Sequence, residues 1–460
     1  MSNSERITIA YIGGGSVNFG WELISSLSDE EITAQVNLYD IDRTLCLANE
    51  VIGNKLREVK NCRGDIIYVA SEKPEEALRG ADYVILSISC GEPEETVSQL
   101  HLPESYGIYQ SCGESSGPAA VIQALKVLPI YIKYAELIKK CCPNAWVLTL
   151  TNPMAECLMT LKKAFPEIKA VGISGDVSET RTFIAGLAAV ESGAATYRRR
   201  DVKTNLLGIS GFSWYNELSS GGEDLMPLFR RFAEKYSESG FEFREGESRN
   251  DPKADGSKIR FDLFLRYGLV PAVPDRIIAD YFGTWYLKTP KILASWKQAQ
   301  TTANHLKKQR LERMSRVKPL MNGTEILEEN SLTETAQIIR ALMGMGNFIT
   351  NAVMLNEGQV DNLPRGAAVE TNALVSRGSI RAVAAGSLTD ELAGMSVRSI
   401  TNRALIVRSV FEKDLDIAFN AFLNDPLMSI DLNSAAVLYK DMLASVRNSL
   451  IIDGEFYYSD

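Results

Sequence analysis

Apolar residues in the first part of the chain fall into short continuous runs, separated by stretches in which they recur every three to four positions. Residues 7–12, 36–39, 66–69, 81–88, 146–150 and 169–173 are runs of the first kind. Their length and β-branched content predict strands, and the unbroken run 81–88 predicts one buried on both faces at the centre of a sheet. Between them, residues 21–27, 48–56, 75–78 and 119–142 carry helical spacing, the last expected to break near Pro129. Strand and helix in alternation predict an α/β fold with a parallel sheet, a Rossmann-like nucleotide-binding domain over residues 1–180. From 181 to 460 the pattern mixes strands, at 202–207 and 208–212, with helices at 259–264, 332–345 and 405–421, and predicts an α+β domain for substrate binding and oligomerisation. Residues 252–256 read as an exposed loop and 307–316 as a solvated helix face.

The first run ends in Gly13, Gly14, Gly15 and Ser16 before the helical pattern begins. Glycine there permits positive φ and lets a diphosphate approach the amides at a helix N-terminus, where the partial positive charge favours an anion. The next strand ends in Asp40, placed to accept hydrogen bonds from a ribose diol, which completes the outline of a dinucleotide-binding βαβ unit. Val17 and Asn18 stand where a third glycine would complete the fingerprint. Asp40 would repel a 2′-phosphate and so favours NAD over NADP, a preference tempered by the nearby Arg43. Ser89 and Asn152 lie beyond the carboxyl ends of later strands and are further candidate cofactor contacts. Asn152 precedes Pro153, which gives either an amide presented on a stiff turn or a turn alone.

Composition narrows the class. A net charge of −9 argues against a general nucleic-acid binder, and Arg198, Arg199 and Arg200 form the one dense basic spot, read as a solvated loop. Seven cysteines lack metal-type spacing, and neither a leader-type segment nor a membrane-spanning apolar run is evident, so a reduced, cytoplasmic protein without a membrane partner is expected. Only two histidines occur, His101 and His305.

Four motifs follow in order: Gly13-Gly14-Gly15-Ser16; Gly113-Glu114-Ser115-Ser116-Gly117-Pro118; Thr151-Asn152-Pro153-Met154; and a segment from Asn356 through Gly358, Gln359, Val360, Asn362 and Leu363 to Pro364. Together they resemble glycoside hydrolase family 4, in particular its α-galacturonidase and α-galactosidase-like branch, and the likeness extends through Asp425 to Leu427. The resemblance implies a lactate/malate dehydrogenase-like fold and a homodimer or homotetramer. It also implies hydrolysis of a small-molecule glycoside by transient oxidation at carbon 3, loss of the carbon 2 proton, elimination and return of the hydride to the sugar. It further implies a divalent metal, usually manganese, held by a cysteine and a histidine. Here Ser174 and Gly211 stand at those positions, and Gly175 replaces the acidic or imidazole group that relatives offer to the leaving group. Serine is a poor ligand for a transition metal and glycine offers none, so no metal ligand is assigned.

Three readings stand open at this point: an NAD-dependent glycosidase with relocated acid and base, an NAD-dependent sugar or sugar-acid dehydrogenase, and a non-catalytic NAD-binding protein. For the first, Asp176, Lys258 and Tyr267 are the candidate catalytic residues, with Asp262 and Tyr106 as further polar candidates. By resemblance, Glu114 and Asn152 contact sugar hydroxyls. Arg276, with Arg260 and Arg266 in the same region, is the candidate partner for an anion at carbon 6. The 356–364 turn is expected to return near the nicotinamide pocket.

Overall fold

The computed structural model describes residues 6–193, 197–243, 256–328 and 334–458. Six parallel strands, β1 (Ile7–Ile12), β2 (Thr33–Tyr39), β3 (Asp65–Ala70), β4 (Tyr83–Leu86), β5 (Trp146–Thr149) and β6 (Lys169–Gly172), lie in the order β3-β2-β1-β4-β5-β6. This is the doubly wound dinucleotide-binding order, with the chain reversing direction across the sheet between β1 and β4. Side chains alternate between two cores: Ala10, Ile12, Val84, Leu86 and Val147 face one layer of helices, and Ile9, Tyr11, Ile85, Leu148 and Val171 the other.

The second half supplies a hairpin of β7 (Lys203–Ile209) and β8 (Phe212–Ser220), joined by the short β9 (Glu223–Asp224) and β10 (Val270–Pro271). It also supplies β11 (Phe348–Leu355), β12 (Ala368–Ser376) and β13 (Ser379–Ala382), which extend the first sheet to nine strands, β11 pairing antiparallel with β6. Residues on either side of 180 therefore share one sheet, and residue 180 itself lies within the helix Asp176–Ser192.

Several expectations are corrected here, among them the strand at 208–212, a segment that holds the end of β7, the turn at 210–211 and the start of β8. The helix Gly117–Cys141 runs unbroken through Pro129. The carbonyl that loses its helical donor there, that of Leu125, accepts the Tyr458 hydroxyl instead. The 405–421 pattern is two helices, Asp390–Glu412 and Leu415–Leu423, because Lys413 takes a left-handed φ of 57° and Asp414 caps the second through the Asp416 N–H.

The 356–364 turn does not approach the nucleotide edge. Val353 pairs with Gly172, so in an antiparallel pair the end of β11 points toward the start of β6, at the opposite edge of the sheet. There the buried Asn356 side chain holds the loop together, donating to the carbonyls of Val360, Leu363 and Pro364 and accepting the N–H groups of Gly358 and Val360. The predicted helix at 332–345 is Thr335–Leu342, with 332 and 333 outside the described residues. Most of the predicted 252–256 loop lies outside them too. Among the described residues, no helix is long and apolar enough to cross a membrane.

Candidate active site

The turn after β1 is shaped by contacts that exclude side chains. A Cβ on Gly13, whose φ is 97°, would lie 1.9 Å from the Ser87 carbonyl oxygen, and one on Gly15 would lie 2.9 Å from the Asp40 carboxyl carbon. Gly13 and Gly14 both donate to the Tyr39 carbonyl, each at 2.9 Å, which ties the turn to the end of β2. Asn49, gripped by the Trp21 indole at 2.9 Å, donates to the carbonyls of Gly14 and Ser16. Asp40 accepts the Gly15 N–H at 2.9 Å and the Asp42 N–H at 3.0 Å, one on each carboxylate oxygen. Each oxygen of an ionised carboxylate has a second acceptor position, the one a ribose diol uses. The helix Phe19–Ser28 starts just beyond, and Ser89 lies exposed past the end of β4. The cradle thus fits a dinucleotide.

Three further groups sit past the neighbouring strand ends. Asn152 follows β5 and donates to Glu114 at 2.9 Å. Ser174 follows β6; its hydroxyl lies 3.3 Å from Asp176 Oδ2 and accepts the Asp176 N–H at 3.2 Å. Arg276 reaches in from the second half, bidentate on Glu179 at 3.1 and 3.0 Å and 3.9 Å from Asp176. Asp176 is partly buried, with 27% of its side chain exposed. Burial, opposed by Arg276 and reinforced by Glu114 and Glu179, pushes its carboxyl up to about 7, so near neutrality it can hold a proton and release it.

Not every expected residue joins this cluster. Lys258 donates to the Ser295 carbonyl at 2.7 Å and lies over the Trp296 ring, while Tyr267 packs beside Trp214 and Phe282. The helix Lys258–Tyr267 turns Ile259, Phe261, Leu263 and Phe264 into the core and leaves both residues at its ends, with no hydrogen bond or ion pair to Asp176, Glu114 or Asn152 among the described residues. Asp262 is taken by Arg266 and the Tyr286 hydroxyl, and Arg260 lies buried beside Asp275 and over Phe183. Tyr106 ends the turn Leu102–Tyr106.

Sequence reasoning missed two residues on β11 and β12. The Asn351 amide donates to both the Ser174 carbonyl and the Glu370 carboxylate, each at 3.2 Å, and Glu370, fully buried, also accepts the Ser213 hydroxyl at 3.0 Å. Burial pushes Glu370 to about 7, with Asp176 adding to the rise. The sequence signal available was a glutamate among β-branched neighbours in an otherwise buried strand, a place where a carboxylate must be hydrogen-bonded.

The positions corresponding to the family's metal ligands do not fit a metal. Gly211 is in the tight turn between β7 and β8 at φ +80°, and a Cβ there would meet Ser115 Oγ at 2.3 Å and the Tyr281 hydroxyl at 2.8 Å. Ser174 is engaged with Asp176, and a serine hydroxyl and a glycine form no transition-metal donor set.

The strand order and glycine turn define a Rossmann-type protein built on the dehydrogenase plan. Malate dehydrogenase of Cryptosporidium parvum superposes with a TM-score of 0.51 at 15% identity, over 89% of this chain and all of that one. The chain belongs to the family 4 glycosyl hydrolases, matching the family model over residues 8–190 and its C-terminal domain over 206–428. It is 40% identical over 448 residues to the alpha-galacturonidase of Thermoanaerobacterium saccharolyticum, 96% of each chain. LplD of Bacillus subtilis is 38% identical with a TM-score of 0.88, over 95% of this chain and all of that one. The Thermotoga maritima 6-phospho-beta glucosidase, solved with manganese, NAD+ and glucose-6-phosphate, has a TM-score of 0.77 at 21% identity, over 96% and 99% of the two chains.

Proposed function

We propose that this family 4 glycosidase binds NAD and cleaves an α-galacturonide. The observation that carries the reading is the gathering of the glycine turn, Ser89, the Asn152–Glu114 pair and Ser174–Asp176 beyond the carboxyl ends of the adjacent strands β1, β4, β5 and β6. In an open α/β sheet that edge is where nucleotide and substrate meet. The uronide class is supported by four relatives, 35 to 40% identical and named alpha-galacturonidase, over 96 to 98% of this chain.

Gly13, Gly14, Gly15 and Ser16 would hold the diphosphate, and Asp40 the adenosine ribose; NAD bound there supplies a hydride acceptor that the cycle restores. Glu114 and Asn152 orient the sugar hydroxyls. Asp176 carries its proton at a carboxyl oxygen facing the cleft and passes it to the departing aglycone oxygen. Arg276 is the candidate for a uronate carboxylate, which would compete with Glu179 for the guanidinium fork. No step is assigned to a metal. A homo-oligomer in a reducing cytoplasm is the assembly and setting that fit the family and the seven free cysteines.

The test is aglycone release from an aryl α-galacturonide, with the corresponding galactoside and glucoside as comparisons, with and without NAD. Release that requires NAD and leaves no net NADH supports the reading. Steady NADH accumulation would replace it with a dehydrogenase, and neither signal with a binding protein. Asp176→Asn should lower kcat by about 10²- to 10⁴-fold.

A further inference from the structure

Asp280 is 2% exposed, lies outside the cluster just described, and belongs to the turn Ala279–Tyr281 of the second half. Its carboxylate accepts three successive backbone N–H groups from the first half: Ser111 at 2.8 Å, Cys112 at 3.2 Å and Gly113 at 2.7 Å. Consecutive amides converging on one carboxylate form a nest; burial pushes the Asp280 carboxyl up to about 7 while the three amides oppose that rise, and in the ionised form the bonds are charge-assisted, about twice as strong as neutral ones. The same stretch is pinned on either side. Gln300 donates to the Gln110 carbonyl at 3.0 Å, the Ser111 hydroxyl donates to Gln298 at 3.1 Å, the Tyr281 hydroxyl donates to the Ser115 carbonyl at 3.0 Å, and Asp425 accepts the Gly117 N–H at 2.9 Å. Within this fixed loop Glu114 is exposed, next in sequence to the three gathered amides and with its carboxylate on Asn152.

We propose that Asp280 is a positioning residue: by gathering the amides of Ser111, Cys112 and Gly113 it sets where the Glu114 carboxylate stands at the mouth of the site. The inference rests on reading Glu114 as a substrate contact. A loop held by a buried carboxylate from the opposite half arrives already ordered, so substrate binding does not bear the cost of fixing it. Asparagine at 280 would remove the charge and turn an amide NH2 toward one of the N–H donors, loosening the nest without opening a cavity.

A double-mutant cycle tests this on aryl α-galacturonide with NAD. Asp280→Asn is expected to lower kcat/KM by about 10- to 100-fold, with the loss falling mainly in KM, since misplacement by about an ångström costs up to that much. In a Glu114→Gln background the same change is expected to cost less than about twofold. Losses that multiply independently would overturn the proposal, because a role confined to general stability does not care what stands at 114. So would a Glu114→Gln enzyme with unaltered kinetics. Asp280→Glu, which keeps the charge but displaces it, serves as the second variant should asparagine fail to fold, with the same coupling to Glu114 expected. Amide hydrogen exchange needs no turnover: the Asp280 variant should lose protection over residues 111–117 and keep it in β1 and β4. Unchanged protection of the loop would overturn the proposal. If no glycoside is cleaved at all, the functional reading falls while the exchange measurement still decides the role of Asp280.

Discussion

Gly211 and Ser115 stand so close that a methyl group added to the glycine would lie 2.3 Å from the serine Oγ. The two residues come from different halves of the chain, so the β7–β8 turn and the Glu114 loop are seated on one another. Gly211 also holds φ at +80°, where any other residue is strained. Gly211→Ala should therefore destabilise the protein by at least about 1–2 kcal/mol from backbone strain alone, with the clash added to it. Urea unfolding checks this, and a change below roughly 0.5 kcal/mol would mean that the two loops separate easily.

The same contact bears on metal dependence. Where relatives are expected to hold a cation between a cysteine and a histidine, this chain offers a hydroxyl already bonded to Asp176 and a glycine pressed on Ser115. Turnover of an aryl α-galacturonide should survive a chelator such as EDTA at concentrations well above any contaminating metal. Loss of activity on chelation, restored by manganese, would show that a cation is held by other residues.

The raised carboxyls set a pH dependence whose sign follows from proton counting. Asp176 and Glu370 titrate near 7 in the fold, chiefly through burial, and near 4 once unfolded. Between those values the folded state binds more protons, so this contribution to stability is complete below about 4 and is lost as the pH rises through 7. Melting temperature should fall between pH 5 and pH 8, and Asp176→Asn or Glu370→Gln should flatten that slope and melt higher than the parent at pH 8. If Asp176 acts as an acid, kcat/KM should also decline above about 7, approaching tenfold per unit. A melting temperature that rises from pH 5 to 8 and is equally steep in both variants would contradict the assignment.

The parts of this site that were legible in the sequence are those made by neighbours in the chain. The glycine turn, Asp40 and the Asn152 turn all sit where a strand ends, and strand ends are readable from apolar runs. Ser174 and Gly211 were legible as departures because the surrounding motifs kept their order. Asn351, Glu370 and Asp280 were hard to place there, since the partners that tie them to the first half or to the β7–β8 hairpin lie 157 to 177 residues away (Ser213 for Glu370, Ser174 for Asn351, Ser111 to Gly113 for Asp280). For Asn351 and Glu370 the antiparallel addition of β11 and β12 to the parallel sheet brings those partners in, and for Asp280 the packing of the turn Ala279–Tyr281 on the 111–113 amides does so. Lys258 and Tyr267 have chemistry that suits a base, but what the two ends of their helix meet, Ser295 and Trp296 at one and Trp214 and Phe282 at the other, is decided by packing that the local sequence does not show.

Pro129 offers a compact case in which a local rule was overruled by the far end of the chain. Within the helix Gly117–Cys141 the proline has no N–H for the Leu125 carbonyl, and the hydroxyl of Tyr458, itself 3% exposed, occupies that acceptor. Tyr458→Phe leaves a buried carbonyl without a donor and should cost about 1–3 kcal/mol in urea unfolding. Pro129→Ala returns a backbone N–H to the same carbonyl, so in that background the tyrosine change should cost less, by roughly 1 kcal/mol. The coupling is what distinguishes a capture of the freed carbonyl from general packing of the C-terminal segment: equal costs of Tyr458→Phe in both backgrounds would show that the hydroxyl is not what lets the helix pass through its proline.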